Sequence, residues 1–198
     1  MKKDTVANPV QSSGTGKRFR TRGKLIEAAA AVIGEKGFDR ASLEEIAAYA
    51  GMTRGAVYGN FKNKEELFLA VIEAQWKPII PPFKPGASFR EQMRLLGKTV
   101  AREAQARKKY AAIATAFQLY TLTHEPMRAR LTEKNAAAYQ WIARELVKVI
   151  PAKDLPMAAK EFVCVLDVIT TGLLFTFFQT PDLITEDVFV ATFEALAC

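Results

Sequence analysis

Cysteine and histidine are scarce in this chain of 198 residues, which contains two cysteines and one histidine. Cys164 lies in an apolar stretch and Cys198 is the last residue, so the two form neither a disulfide framework nor the ligand spacing of a zinc site. Such sparing use of cysteine suits a reducing compartment. We therefore expect no disulfide, no bound metal and no other cofactor.

Catalytic groupings are absent from the sequence as well. The single histidine, His124, stands beside a proline-containing break, where a capping or surface role is far more common than a catalytic one. No phosphate-binding loop occurs, and no nucleophile can be paired with a base. We therefore expect that this protein is not an enzyme.

Alternating runs of β-branched residues, which are typical of half-buried strands, are also missing. Apolar residues instead recur at spacings of three and four along most of the chain. Hydrophobic residues make up 49% of the sequence and charged residues 25%, which is ordinary for a soluble globular protein. These features predict an all-α protein with one or two compact domains.

The most apolar segment, residues 162–178, contains one charged residue, Asp167. A membrane-spanning helix needs about 20 mostly apolar residues, whereas this segment is shorter and is followed at once by Thr180, Pro181 and Asp182. We expect no membrane span. The basic N-terminus is not followed by an apolar segment, so we expect no signal peptide and a cytoplasmic location.

Two short helices joined by a tight turn are predicted between residues 42 and 61. Ser42 is a suitable N-cap, and Glu45 three residues later completes a capping box. Gly51 ends this helix, and Thr53 caps the next one. The arrangement is a helix-turn-helix. The second helix presents small or polar residues outward, as expected of a helix that lies against base edges and phosphates: Arg54, Gly55, Ala56, Tyr58, Gly59 and Asn60.

The stretch from Thr21 to Glu73 resembles the DNA-binding domain of the TetR family of transcription regulators. The resemblance rests on the segments AAAAVIGEKGF (28–38), SLEEIAAYAGMT (42–53) and VYGNFKNKEEL (57–67), and covers about a quarter of the chain. Many relatives have an aromatic residue and a histidine before the phenylalanine, whereas this chain has Gly59 and Asn60. That difference concerns which DNA sequence is bound rather than whether DNA is bound.

The resemblance implies two groups of DNA contacts. For base edges, Asn60 suits adenine, Arg54 suits guanine or a phosphate, and Ala56 suits a thymine methyl group, with Gly55 beside them. Phosphate contacts are predicted for Ser42, Thr53, Tyr58 and Lys64. For Lys64 the alternative is a solvated lysine, and for Tyr58 it is a ring that only packs.

Positive charge is concentrated at the N-terminus. Residues 1–24 hold seven basic residues and one acidic residue, a net charge of +6, whereas residues 25–80 have a net charge of −2. We predict that residues 1–20 form a disordered basic arm. Arg20 and Arg22 are then DNA contacts, to phosphates or in the minor groove. The alternative is a solvated tail, and the two are compatible.

Four prolines at positions 78, 81, 82 and 85 interrupt the helical pattern. We place the boundary there, with a helix-turn-helix domain over residues 21–78 and a helical domain over residues 79–198. The helices predicted near residues 162–178 and 186–197 are too apolar for one subunit to cover. In the resembled family they pair with a second copy in a four-helix bundle, so we expect a homodimer.

The resemblance further implies a small-molecule pocket in the C-terminal domain, whose occupation moves the DNA-binding domains apart. The candidate lining residues are Phe89, Met93, Phe117, Tyr120, Trp141, Asp167, Phe175 and Phe178, although aromatic residues at helical spacing are usually core. We expect a homodimeric repressor that a small apolar or aromatic effector releases from a palindromic double-stranded operator. The alternative is a DNA-binding regulator or architectural factor without an effector.

Overall fold

The computed structural model describes residues 13–197 of the chain. These residues form helices and turns without any β-strand, which confirms the predicted all-α class. The chain divides into two compact units, Met1–Trp76 and Lys77–Cys198. The helices of the first unit are α1 (Ser13–Lys36), α2 (Leu43–Tyr49), α3 (Arg54–Tyr58) and α4 (Lys64–Gln75).

The second unit contains five α-helices within the described residues. They are α5 (Phe89–Arg107), α6 (Ala111–Thr123), α7 (Glu125–Leu146), α8 (Ala159–Gln179) and α9 (Glu186–Glu194). Three short 3-10 helices, Lys108–Tyr110, Ala152–Asp154 and Ala195–Ala197, complete it. Helix α7 begins at Glu125 and has Pro126 in its first turn, where the missing N–H of proline leaves no hydrogen bond unmade.

Helix α1 begins at Ser13, so the part of the predicted arm from residue 13 to residue 20 is helical rather than disordered. Two arginines in this part have backbone partners. Arg20 Nε donates to the Gly16 carbonyl at 3.3 Å, and Arg18 Nη2 donates to the Gly59 carbonyl at 3.4 Å. These hydrogen bonds stabilise the polar first turns of α1, an effect that composition alone does not predict. Residues 1–12 of the predicted arm lie outside the described residues.

The core of the first unit is formed where α1 packs against α2 and α4. Leu25 and Ile33 of α1, Ile46 of α2 and Phe68 of α4 are almost completely buried. Helix α3 joins this core only through Val57 and, just beyond its end, Phe61. Its remaining residues are exposed or only partly buried.

The turn between α2 and α3 requires glycine. Gly51 has a φ of 66°, in the left-handed region that other residues seldom adopt. Thr53 follows as the N-cap of α3, and its Oγ1 accepts a hydrogen bond from the Ala56 N–H at 3.3 Å. The predicted helix-turn-helix is thus present.

The core of the second unit is formed mainly by α5 and α9, together with α7 and α8. Met93, Phe162, Phe189 and Phe193 are almost completely buried in it. At Gly97 the backbone of α5 lies so close to α9 that an added Cβ would stand 2.8 Å from the Val190 Cα. The two helices therefore touch backbone to backbone at this point.

The proline-rich segment after residue 77 is bonded to α5. The fully buried Gln92 side chain donates to the Lys84 carbonyl at 2.5 Å and accepts from the Lys84 N–H at 3.1 Å. Arg107, also buried, donates to the Lys77 carbonyl at 2.8 Å. Buried side chains thus supply partners for backbone groups that a helix would otherwise pair.

We expect Gly97→Ala to destabilise the protein by about 1–3 kcal/mol, because the new methyl group meets the backbone of α9 rather than a flexible side chain. Urea unfolding followed by circular dichroism measures the effect. Gly23→Ala is the control, since nothing lies within 4 Å of its added Cβ. That change should stabilise α1 by about 0.5–1 kcal/mol. Equal stability of both variants would contradict the close approach.

Candidate nucleic-acid interface

The start of α2 is fixed by a capping box that extends to α1. The Glu45 N–H donates to Ser42 Oγ at 3.1 Å, and the Ser42 N–H donates to Glu45 Oε2 at 3.0 Å. Lys36 Nζ donates to Glu45 Oε1 at 2.6 Å. Hydrogen bonding from Lys36, with a further contribution from Ser42, lowers the pKa of Glu45 to about 2. The cap was predicted, whereas the ion pair with Lys36 was not.

Arg54 opens α3 and is held from two sides. Its Nε lies 2.9 Å from Glu44 Oε1 on α2, and its Nη2 donates to the Tyr58 hydroxyl oxygen at 3.2 Å. The hydrogen bond to Tyr58 and the charge of Glu44 raise the pKa of Arg54, so it remains a cation. Arg54, Gly55 and Tyr58 are exposed, as a surface that contacts a nucleic acid requires.

The far end of α3 is held by α1. Arg22 Nη1 donates to the Asn60 carbonyl at 2.8 Å, and its guanidinium carbon lies 4.2 Å from the centre of the buried Phe61 ring. Arg22, predicted to contact DNA, thus makes its described contacts within the protein. A cation at this position also interacts favourably with the carbonyl end of a helix. Arg20 lies exposed on α1.

The side chain of Asn60, the predicted adenine-reading residue, is turned back toward α3. Its Nδ2 donates to the Ala56 carbonyl at 2.8 Å. Its Oδ1 is buried and has no hydrogen-bond partner among the described residues. An amide engaged in this way must rotate before it can form two bonds with a base. In the structure it is Arg54, rather than Asn60, that is presented outward.

Lys64, predicted to contact a phosphate, points back toward the end of α1. Its Nζ donates to the Asp39 carbonyl at 3.1 Å and lies 4.5 Å from the centre of the Phe38 ring. Partial burial lowers the pKa of Lys64. Contact with a phosphate requires the amine to leave these partners.

The predicted pocket residues of the second unit do not share one environment. Met93 and Tyr120 are buried, and Tyr120 stacks on His124 with ring centroids 3.9 Å apart. Phe89 and Phe178 are partly buried and pack against the core, whereas Trp141 is 46% exposed. Phe175 meets Phe178 edge to face, and Phe117 is partly buried on α6. Core packing therefore accounts for several of these residues.

Asp167 bonds to a tyrosine that sequence reasoning missed. The Tyr139 hydroxyl on α7 donates to Asp167 Oδ2 on α8 at 2.6 Å. Partial burial, reinforced by this hydrogen bond, raises the pKa of Tyr139. Only the apolar surroundings of Asp167 hinted at a polar partner. Within residues 13–197, no cluster of three or more histidine, cysteine or acidic residues is arranged to hold a metal ion.

A protein-family model described as bacterial regulatory proteins of the tetR family matches residues 25–71, from α1 through most of α4. Residues 25–71 therefore form a DNA-binding segment of the TetR type. All predicted DNA contacts of α2, α3 and the start of α4 fall within the matched TetR segment. Arg20 and Arg22 lie before it.

Two TetR-type relatives show how far the sequence likeness extends. The transcriptional regulator SrpR of Pseudomonas putida is 42% identical over 65 residues, covering 33% of this chain and 30% of SrpR. The transcriptional repressor BepR of Brucella suis is 44% identical over 52 residues, covering 26% of this chain and 25% of BepR. The chain therefore matches about a third or less of the length of either relative.

A solved structure extends the likeness beyond the TetR DNA-binding segment. It is NalD of Pseudomonas aeruginosa, described as the secondary repressor of the MexAB-OprM multidrug efflux pump. Its TM-score is 0.59 at 25% identity, with 89% of this chain and 93% of NalD covered. This match supports a shared helical architecture for the C-terminal helices as well.

We expect Glu45→Gln to make the stability of the folded protein less dependent on pH in the acid range. A lowered folded-state pKa stabilises the fold above the ordinary value of 4.5, and this contribution is lost as the pH falls toward about 2. Thermal melts of the wild type and the variant should therefore converge as the pH falls from 4.5 to about 2. Glu35→Gln, at an exposed carboxylate of α1, is the charge-matched control. Parallel curves for Glu45→Gln and the wild type would refute this role.

Proposed function

We propose that this protein is a DNA-binding transcriptional regulator, a homodimeric repressor that a small, largely apolar effector releases from a palindromic operator. The observation that carries the proposal is α3, a short helix whose exposed residues are polar or small while Val57 and Phe61 hold it to the unit. The repressor roles named for BepR and NalD support it. We likewise propose a cytoplasmic location, since an operator-binding protein must have access to the DNA.

Arg54 is the main candidate for base recognition. It is exposed, its orientation is restricted by Glu44 and Tyr58, and a guanidinium suits the O6 and N7 acceptors of guanine. Gly55 and Ala56 beside it allow a close approach to the base edges. Thr53, Ser42 and the Tyr58 hydroxyl are the nearby phosphate candidates.

A homodimer would account for the apolar exposed surface of α8. This helix is long and apolar enough to cross a membrane, yet only 22% of its most apolar window is buried. Phe162, Leu174 and Phe177 bury one side of α8 in the second unit, whereas Val168 is 65% exposed. Val188 on α9 is 36% exposed. A second copy that covers α8 and α9 would remove this surface from water, and two copies would present two α3 helices to neighbouring turns of DNA.

The effector part of the proposal rests on the resemblance to the TetR family. Its candidate contacts are the polar pair of Tyr139 on α7 and Asp167 on α8, and the paired rings of Phe175 and Phe178 farther along α8. A few polar groups among aromatic rings are typical of small-molecule sites. The alternative is a regulator or architectural factor without an effector. A compound that releases the DNA separates the two.

We expect Arg54→Ala to lower affinity for the preferred duplex by about 10- to 100-fold and to relax preference at one base pair, since a bidentate arginine contributes about 1–3 kcal/mol. The measurement is selection of bound duplexes from random DNA, followed by fluorescence anisotropy. Arg90→Ala on α5 is the control, because it removes an exposed arginine outside the helix-turn-helix. Unchanged sequence preference in Arg54→Ala would contradict base recognition by this residue.

We expect Val168→Asp to produce a monomer, because it would place a charge in the proposed apolar interface. Light scattering after size exclusion at micromolar concentration gives the mass. Leu122→Asp on α6, at a side chain that is 71% exposed, is the matched control and should remain dimeric. A dimeric Val168→Asp variant would place the interface elsewhere, and a monomeric wild type would end the dimer proposal.

A further inference from the structure

Glu44 is an acidic residue in the first turn of α2 that plays no part in the capping box. Its carboxylate instead forms the ion pair with Arg54 Nε at 2.9 Å. The Arg54 side chain is 61% exposed and that of Glu44 is 52% exposed, so a bound duplex can reach both. The pair therefore belongs to the same surface as the proposed DNA contacts.

A free arginine on this surface would bind a phosphate of any DNA sequence. Such contacts increase affinity without distinguishing one site from another. Glu44 opposes them in two ways, since it competes with phosphates for the guanidinium and also repels them. A guanine edge carries no formal charge and offers two acceptors to the guanidinium. The ion pair thus penalises a phosphate contact more than a base contact.

Geometry points in the same direction. Glu44 engages the Nε side of the guanidinium, while the Tyr58 hydroxyl accepts from Nη2 and the Tyr58 ring centre lies 5.3 Å from the guanidinium carbon. The side chain is thereby restricted to a small range of directions. Arg54 is also the only basic residue of α3, whose sequence is RGAVY. Restraining Arg54 therefore restrains the only positively charged side chain of α3.

We propose that Glu44 is a specificity-determining residue, which restrains Arg54 and thereby weakens binding to DNA that lacks the preferred base. This inference rests on the proposed function. Glu44 contributes a restraint on unwanted contacts rather than a contact with the operator.

The test compares Glu44→Gln with the wild type on two duplexes, one selected from random DNA by the wild type and one of scrambled sequence. Affinity for the scrambled duplex should rise about three- to tenfold, because an exposed ion pair and a nearby phosphate repulsion are removed. Affinity for the selected duplex should rise less. The ratio of the two affinities therefore falls, and the salt dependence on the scrambled duplex becomes steeper by about one phosphate contact.

Two further variants isolate the mechanism. In an Arg54→Ala background, Glu44→Gln should no longer change the ratio, since there is no guanidinium left to restrain. Glu35→Gln changes the net charge equally at an exposed position of α1 and should leave the ratio unchanged. Circular dichroism verifies the fold of each variant.

An unchanged ratio in Glu44→Gln, or a change that persists without Arg54, would overturn the inference while leaving DNA binding intact. A wild type that binds both duplexes equally would remove the proposed function and this inference together. The two failures are thus distinguishable.

Discussion

The packing of Phe61 beneath Arg22 is the contact on which the DNA-facing surface depends. Helix α3 has five residues, far too few to be stable alone in water. Its direction is therefore set by what holds its ends, the threonine cap at the start and the Phe61 anchor at the finish. Arg22 covers that ring and also bonds the Asn60 carbonyl. A residue that sequence reasoning assigned to DNA thus orients the helix.

Local signals in the sequence were enough to predict the helix-turn-helix. Caps such as Ser42 and Thr53 act on backbone groups two or three residues away, so their effect can be read from spacing alone. The start of α1 could not be predicted in this way. The Gly59 carbonyl that accepts from Arg18 is 41 residues distant in sequence, and only the folded unit brings the two together.

The directions of side chains were the least predictable part of the site. Asn60 and Lys64 have the chemistry of DNA-binding residues, yet their amide and amine find carbonyl partners at Ala56 and Asp39. The aromatic residues of the second unit present the same problem. A helical spacing of rings is shared by core and pocket positions, and the bond between Tyr139 and Asp167 joins two helices whose relative rotation no local pattern specifies.

The backbone contact between α5 and α9 at Gly97 limits how the second unit can deform. Because no side chain separates the two backbones at Gly97, sliding one helix along the other would bring atoms into collision unless the helices moved apart. A displacement of either helix would therefore be expected to displace the other. Deformation of the second unit would then involve other elements, above all α6, whose main neighbours are α7 and the short 3-10 helix that precedes it. The second unit thus combines a closely packed pair of helices, α5 and α9, with the less extensively packed helix α6.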